Sequence, residues 1–249
     1  MNRTPAWPQG TALRHFTEID STNEEARRLA GVETPAPLWV IADRQTNGRG
    51  RRGREWQSRT GNLSATLLLR PDRPIAQCAQ LSFVAAISVT ELVAGYAPFA
   101  DVRVKWPNDV LADERKIAGI LLESASNTGV CPDWLTIGFG VNLAWHPENV
   151  EFPAISLAGL GASPPPARDA LARLAASWER WYQLWMQHGF EPIRDAWLAR
   201  AARLGMRLRA RLAGGETTGV FEGIDEEGAL ILRESPGRTR AISAAEVFF

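Results

Sequence analysis

One segment, Trp134 to Leu143, constrains the fold of this chain more than any other. Its odd-numbered positions from 135 onward are apolar, whereas the other positions carry Thr136, Gly138, Gly140 and Asn142. Alternation with a period of two predicts a β-strand with one buried face and one bare face. Glycines weaken a strand interior and often mark the close approach of a ligand or another backbone. The bare face is therefore either a binding surface or a packing surface.

Strand and helix patterns alternate through the first 204 residues. Strands are predicted at His15–Ile19, Leu38–Ala42, Leu63–Leu69, Val102–Trp106, Val110–Ala112 and Ile117–Glu123. Helices are predicted after Asp20 and at Ala76–Tyr96, Arg168–His188 and Pro192–Leu204. Ser21 with Glu24 and Thr22 with Glu25 have the spacing of a capping box at the start of the first helix.

The pattern changes after Gly205. Met206, Leu208, Ala210 and Leu212 alternate with arginines, and Gly214–Gly215 is a hairpin signal. Further short strands follow as far as Phe249. We therefore expect a catalytic domain at 1–204 and a small β-barrel domain at 205–249.

Composition narrows the class of protein. The 28 basic residues balance the 28 acidic ones, which argues against a dedicated nucleic-acid-binding or membrane-surface protein. Two cysteines are too few for a disulfide framework, so a reducing cytoplasm is expected. The longest apolar segment, around Leu81–Ala97, is interrupted by polar residues and is interpreted as a buried helix.

The loop Gly48–Trp56 carries four arginines between three glycines. Its Gly-x-Gly-x-x-Gly pattern alone is weak evidence for a dinucleotide-binding turn, because the following residues are poor helix formers. Glycines let a backbone approach a ligand, and guanidinium groups match phosphate and carboxylate oxygens. The loop is either a mobile cover for a polyanion or a solvated basic loop.

A second motif, Lys105-Trp106-Pro107-Asn108-Asp109, precedes a hairpin that carries Lys116-Ile117-Ala118-Gly119. Because the two lysines flank the hairpin, both can project to one side of a sheet. A solvated surface charge is the alternative for either lysine.

Together these segments resemble the biotin–protein ligase family. The matches are Asp20–Asn23, Gln45 with Gly48–Trp56, Lys105–Asp109, Lys116–Glu123 and Gly138–Asn142, in the order of the family. The resemblance implies an α+β fold with two parts. The catalytic domain, similar to that of class II synthetases, is a mixed or antiparallel sheet with helices, and a small SH3-like β-barrel follows at the C-terminus. In the implied reaction, ATP activates biotin as biotinyl-5'-AMP, and biotin is then transferred to a lysine of a carrier domain.

The resemblance also implies roles for individual residues. Lys116 and Arg51 would be catalytic. Biotin would be bound by Ser21, Thr22, Gln45, Gly48, Arg49, Arg51, Lys116, Gly119 and Gly138. ATP or the adenylate would be bound by Arg51, Arg54, Trp56, Lys105, Asn108 and Asn142.

The remaining expectations concern cofactors and partners. ATP and biotin are substrates, Mg²⁺ assists, and the partner is a biotin carboxyl carrier domain. No DNA partner is expected, because the matched pattern begins within 20 residues of Met1 and leaves no room for an N-terminal DNA-binding domain. No membrane partner is expected either, since the charges are balanced and the longest apolar segment is interrupted by polar residues. The resemblance is compatible with a homodimer. Ligation of another acid, such as lipoate, and nucleic-acid binding by the arginine loop are the competing hypotheses.

Overall fold

The computed structural model describes residues 5–32, 34–126, 129–148 and 150–249. Two sheets organise them. The first has seven strands in the order β1-β2-β3-β7-β6-β5-β4, in which β1 and β2 are parallel and the other neighbours antiparallel. Its strands are β1 (Ala12–Ile19), β2 (Leu38–Gln45), β3 (Leu63–Leu69), β4 (Val102–Lys105), β5 (Asp109–Ala112), β6 (Arg115–Ala125) and β7 (Trp134–Val141).

Five α-helices accompany this sheet in the described part of the chain. They are α1 (Thr22–Ala30), α2 (Ile75–Cys78), α3 (Leu81–Tyr96), α4 (Ala167–His188) and α5 (Glu191–Leu198). The stretch Ile75–Tyr96 has the length and apolar character of a membrane span, yet 67% of its most apolar window is buried inside the protein. Helix α3 is apolar on all sides because it is enclosed by the sheet, α4 and α5.

The alternation predicted for Trp134–Leu143 separates the two faces of the sheet. The side chains of Leu135, Ile137, Phe139 and Val141 join the core beneath α3 and α4. The opposite face of β7 carries the glycines and lies beside α1, whose contacts include β3 and β7. Since almost no side chain projects from that face of β7, a cleft can open there.

The second sheet is antiparallel, with five strands in the order β11-β10-β9-β8-β12. They are β8 (Arg207–Leu212), β9 (Gly215–Ile224), β10 (Leu230–Ser235), β11 (Arg238–Ile242) and β12 (Glu246–Phe248). The predicted small C-terminal barrel is thus present as a five-stranded antiparallel unit.

The two sheets share one continuous hydrophobic core. At their junction, the buried indole of Trp106 donates a 3.0 Å hydrogen bond to the carbonyl of Gly228. Trp197 of α5 packs edge-on against Phe221 of β9. The division at residue 204 remains a prediction about domains, and this packing argues against independent folding of residues 205–249.

Three local predictions were wrong in detail. The predicted helix Ala76–Tyr96 is split between α2 and α3, and the predicted helix Pro192–Leu204 ends at Leu198. The capping box does not form, since Ser21 makes no side-chain cap. Glu24 and Glu25 instead form ion pairs with Arg27, Arg49 and Arg28, because charged partners from the loop and the next helical turn lie within reach.

Candidate active site

A cavity of about 290 Å³ opens on the glycine-bearing face of the first sheet. Its walls come from the start of α1, the loop after β2, the strands β5, β6 and β7, Pro147, the segment 150–154 and the start of β12. Thirteen of the fourteen predicted site residues line it: Ser21, Thr22, Gln45, Arg49, Arg51, Arg54, Trp56, Lys105, Asn108, Lys116, Gly119, Gly138 and Asn142. Segments separated by more than 100 positions therefore meet at one surface.

Gly48 is the predicted site residue that does not line this cavity. A Cβ atom there would lie 2.4 Å from the carbonyl oxygen of Trp56, far inside van der Waals contact. The Gly48 carbonyl accepts a 2.9 Å hydrogen bond from the Trp56 amide, and Arg49 pairs with Glu55 in an antiparallel bridge. Glycine is therefore required at 48 to close the loop on itself.

The Lys105–Asp109 motif and the Lys116–Gly119 segment meet at the β5–β6 hairpin. The ammonium of Lys116 forms a 2.7 Å ion pair with Asp109, and the two side chains are 26% and 16% exposed. Asn108 accepts a 3.2 Å hydrogen bond from Arg51 and donates one of 2.6 Å to the Ile120 carbonyl. The glycine-rich loop is thus attached to the hairpin that carries Lys116. Burial, and after it the charge of Arg52, lowers the pKa of Arg51.

Lys105 is buried in the cavity wall, with 7% of its surface exposed. Its ammonium lies 4.0 Å from the centre of the Phe152 ring and 5.1 Å from that of Phe249. Within the part of the chain that the structure describes, it forms no hydrogen bond and no ion pair. Burial lowers the pKa of Lys105 to about 8, which the nearby Asp109 carboxylate only partly opposes. A buried cation without a partner is a favourable site for an anionic ligand.

The indole of Trp56 lies flat against the glycines of two strands. A Cβ atom at Gly140 would lie 2.3 Å from its ring, and one at Gly119 would lie 3.3 Å from it. The Lys116 ammonium is 5.8 Å from the centre of this ring. The glycine at 140 therefore makes room for Trp56.

The amide of Gln45 is held at the start of α1. Its Oε1 accepts hydrogen bonds from the Thr22 backbone N–H at 2.8 Å and from the Thr22 hydroxyl at 3.0 Å. Ser21 and Thr22 are both 3% exposed. These groups form a small polar pocket between α1 and the end of β2.

Asn142 lies at the end of β7 and is 2% exposed. Its Nδ2 donates to the Ile155 carbonyl at 3.1 Å, whereas its Oδ1 has no hydrogen-bond partner among the described residues. A buried acceptor left without a donor costs about 1–3 kcal/mol. A ligand N–H group at this position would remove that cost.

The second sheet contributes directly to the cavity through Glu246. This carboxylate, 12% exposed, forms ion pairs with Arg54 and, at 3.5 Å, with Arg52 of the glycine-rich loop and Arg211 of β8. Phe152 stacks on Phe248 with ring centres 5.2 Å apart. The loop arginines are thus held partly by a domain that sequence reasoning did not connect with the site.

Several functional side chains escaped the sequence reasoning. Asn23, Asp109, Phe152 and Glu246 line the cavity but were not assigned ligands there. Asn23 and Asp109 lie within the matched motifs, so the sequence did contain a signal that could have predicted their place in the site. Phe152 and Glu246 follow segments without a motif, and only the packing of the second sheet brings them to the cavity.

The described residues contain no group of three or more His, Cys, Asp or Glu side chains that could hold a metal ion. Residues 54–62, all of which are described, form no helix after the glycine-rich loop. The dinucleotide-binding interpretation of that loop is therefore wrong.

The chain matches two family models. Residues 16–142 match the biotin/lipoate A/B protein ligase family, and residues 204–249 match the biotin protein ligase C-terminal domain. A biotin–[acetyl-CoA-carboxylase] ligase of Paracoccus denitrificans is 47% identical over 94% of this chain and 99% of its own length. One from Mycobacterium tuberculosis is 34% identical over 92% and 86%.

Solved structures give the same result. The biotin protein ligase of Aquifex aeolicus, in complex with biotin and ATP, superimposes with a TM-score of 0.81 and 27% identity. The superposition covers 95% of this chain and 97% of the other.

Proposed function

The chain belongs to the biotin protein ligase family, and we propose that the cavity described above binds biotin and ATP side by side. The protein is an ATP-dependent biotin–[acetyl-CoA-carboxylase] ligase: it activates biotin as biotinyl-5'-AMP and transfers it to a carrier protein. The observation that carries the residue assignments is the convergence of Arg51, Lys105 and Lys116 on one partly apolar cavity.

The first step joins two anions. A carboxylate oxygen of biotin attacks the α-phosphorus of ATP, an O–P bond forms, and the bond to pyrophosphate breaks. Fixed cations offset the repulsion and stabilise the charge that develops in the transition state. Lys116, whose ammonium pairs with Asp109 at 2.7 Å in the cavity wall, would hold the carboxylate against the α-phosphate.

We assign the biotin ring system to the polar pocket at the start of α1. Ser21, Thr22 and Gln45 would contact the ring, and Arg49 and Arg51 would close over it. Gly119 and Gly138 would line the slot. Gly48 supports the same loop through its backbone, since it does not line the cavity.

We assign the nucleotide to the side of the cavity next to the second sheet. Asn142 supports this assignment, because its buried Oδ1 lacks a donor and an adenine amino group would supply one. Lys105, which forms no ion pair among the described residues, and Arg54 would meet the phosphates. Trp56 and Asn108 would lie around the adenylate.

Mg²⁺ fits this site only as an ion carried by the phosphates of ATP. Mg²⁺ commonly keeps several waters and needs only one or two protein carboxylates. Asp109, which pairs with Lys116 at 2.7 Å, is the carboxylate that would hold the ion beside the phosphates. The ion would neutralise phosphate charge during adenylation.

The second step moves the acyl group to an amine. The neutral carrier lysine attacks the acyl carbon, a C–N bond forms, the C–O bond to AMP breaks, and the amine loses a proton to solvent. No nucleophile on the enzyme is required. The loop at 46–54 has no apolar residue, and we infer that it closes to keep water from the anhydride.

The decisive experiment is ATP-dependent transfer of biotin to a biotin carboxyl carrier domain. Pyrophosphate release with biotin but not with lipoate would distinguish biotin ligation from the competing hypothesis, ligation of lipoate. Steep salt-dependent binding to DNA or RNA would instead favour a nucleic-acid role for the arginine loop. We further propose a cytoplasmic location, no DNA partner and a homodimer, the last of which sedimentation would test.

A further inference from the structure

The side chain of Asn23 spans three strands of the first sheet. Its Nδ2 donates a 2.8 Å hydrogen bond to the carboxylate of Glu123 on β6, and its Oδ1 accepts one of 2.6 Å from the hydroxyl of Thr66 on β3. Between them, a Cβ atom at Gly138 of β7 would lie 2.3 Å from this Oδ1. Glycine at 138 therefore lets the amide lie flat on the sheet.

The Glu123 carboxylate fixes which way the amide points. An ionised carboxylate only accepts hydrogen bonds, so the NH₂ group of Asn23 must face it and the amide oxygen must face Thr66. The hydroxyl of Thr66 is consequently a donor to Asn23. It is also the donor towards the Thr22 hydroxyl oxygen at 2.8 Å, so its one proton is shared between two acceptors, of which Asn23 at 2.6 Å is the nearer.

The Thr22 hydroxyl donates its own proton to Oε1 of Gln45 at 3.0 Å and is the acceptor towards Thr66. Its proton is therefore engaged by the protein, and a lone pair of Thr22 is what remains for the cavity. Because the Thr22 backbone N–H also donates to Gln45 Oε1, this oxygen faces Thr22, and the Gln45 NH₂ group has no acceptor among the described residues.

We propose that Glu123, Asn23 and Thr66 are positioning residues that set the polarity of the acid-binding pocket. They hold Thr22 as an acceptor next to the donor of Gln45. This pair selects a ring that presents an N–H donor adjacent to a carbonyl acceptor, as a cyclic urea does. The inference rests on the proposed function, in which the ring of biotin occupies this pocket. Asn23 and Thr66 are 5% and 0% exposed, so solvent does not compete for these bonds.

The test uses a matched pair at Thr66 and one change at Glu123. Thr66→Val keeps the shape but removes the hydroxyl, whereas Thr66→Ser keeps it. We expect Thr66→Val to raise the KM for biotin about tenfold, as for one lost hydrogen bond, with kcat and the KM for ATP within about twofold of wild type. Thr66→Ser should stay within about threefold throughout.

The Glu123→Gln variant tests polarity itself. A glutamine amide can donate as well as accept, so Asn23 is free to turn over and present its NH₂ group to Thr66. The Thr66 proton would then turn wholly to Thr22 and occupy the lone pair that the ring N–H needs. The preference for biotin over a derivative methylated on the ring nitrogens should fall roughly tenfold. A purely structural role would leave that ratio unchanged.

Three results would overturn the proposal: a wild-type KM for biotin in Thr66→Val, equal impairment of the valine and serine variants, or an unchanged preference ratio in Glu123→Gln. Because Thr66 is fully buried, Glu123→Gln decides the matter if Thr66→Val does not fold. Failure of the proposed function is distinguishable, since wild-type protein would then transfer no biotin at all.

Discussion

Removal of the Lys116 ammonium should slow adenylation while the fold remains intact. In the structure this group is held 2.7 Å from Asp109 at the edge of the cavity, and neither side chain is fully buried. One charge-assisted contact contributes about 1.5–3 kcal/mol. If that contact is made in the transition state, Lys116→Ala should lower the single-turnover rate roughly tenfold to a hundredfold or more.

The same ion pair provides an internal control. Lys116→Ala also leaves Asp109 as an uncompensated carboxylate beside two anionic substrates. The double variant Lys116→Ala/Asp109→Asn should therefore be less impaired than Lys116→Ala alone, with a coupling of about 0.5–3 kcal/mol. Asp109→Asn by itself keeps the cation and should cost less than tenfold.

The assay is pyrophosphate release in a single turnover with biotin and ATP, alongside circular dichroism to verify folding. A folded Lys116→Ala protein that forms adenylate at the wild-type rate would refute the bridging role. A double variant as slow as the product of the two single effects would refute the electrostatic coupling with Asp109.

Four further predictions concern the loop, the second lysine, the junction and the protein surface. Arg51→Gly removes the contact with Asn108 and loosens the loop, so adenylate should escape and biotinylate the lysines of a bystander protein; bystander labelling at the wild-type level would refute retention by Arg51. The KM for ATP should rise as pH increases through about 8, where Lys105 loses its charge, and Lys105→Arg should flatten that profile. In the unfolded chain Lys105 stays protonated up to its ordinary pKa of 10.5, whereas in the folded protein it loses its proton at about 8. The free energy of unfolding should therefore rise with pH between about 8 and 10.5, as urea titrations would measure. Trp106→Phe leaves the Gly228 carbonyl without its donor and should lower the free energy of unfolding by about 1–3 kcal/mol, in one transition because the core is shared; two separate transitions would indicate independent domains. Both lysines of the chain line the cavity, so a lysine introduced at the surface reports on escaping adenylate. In the absence of carrier, the new lysine of Arg211→Lys, near the cavity mouth, should become biotinylated, whereas that of Arg180→Lys, on helix α4, should be labelled much less. Equal labelling of the two variants would exclude an effect of proximity.

The sequence by itself determined the local elements and the chemistry of the motifs. Period-two alternation identified β7 and its buried face, since side chains of a strand necessarily point to opposite sides. The helix predicted at Arg168–His188 is present as α4, and Trp178 and Trp185, seven positions apart on one helical face, are both buried in the core. The charged and glycine-bearing motifs indicated an anion-binding site, because guanidinium groups match phosphate and carboxylate oxygens and glycines let the backbone approach a ligand.

Only the tertiary structure decided why particular glycines are required and which distant residues complete the site. Gly138 accommodates the Asn23 amide and Gly140 accommodates Trp56, and both contacts come from segments far away in the chain. Glu246 reaches the loop arginines because the second sheet packs on the first through a shared core. Such contacts depend on how strands are ordered and how sheets pack, and the pattern within a single segment contains no information about either.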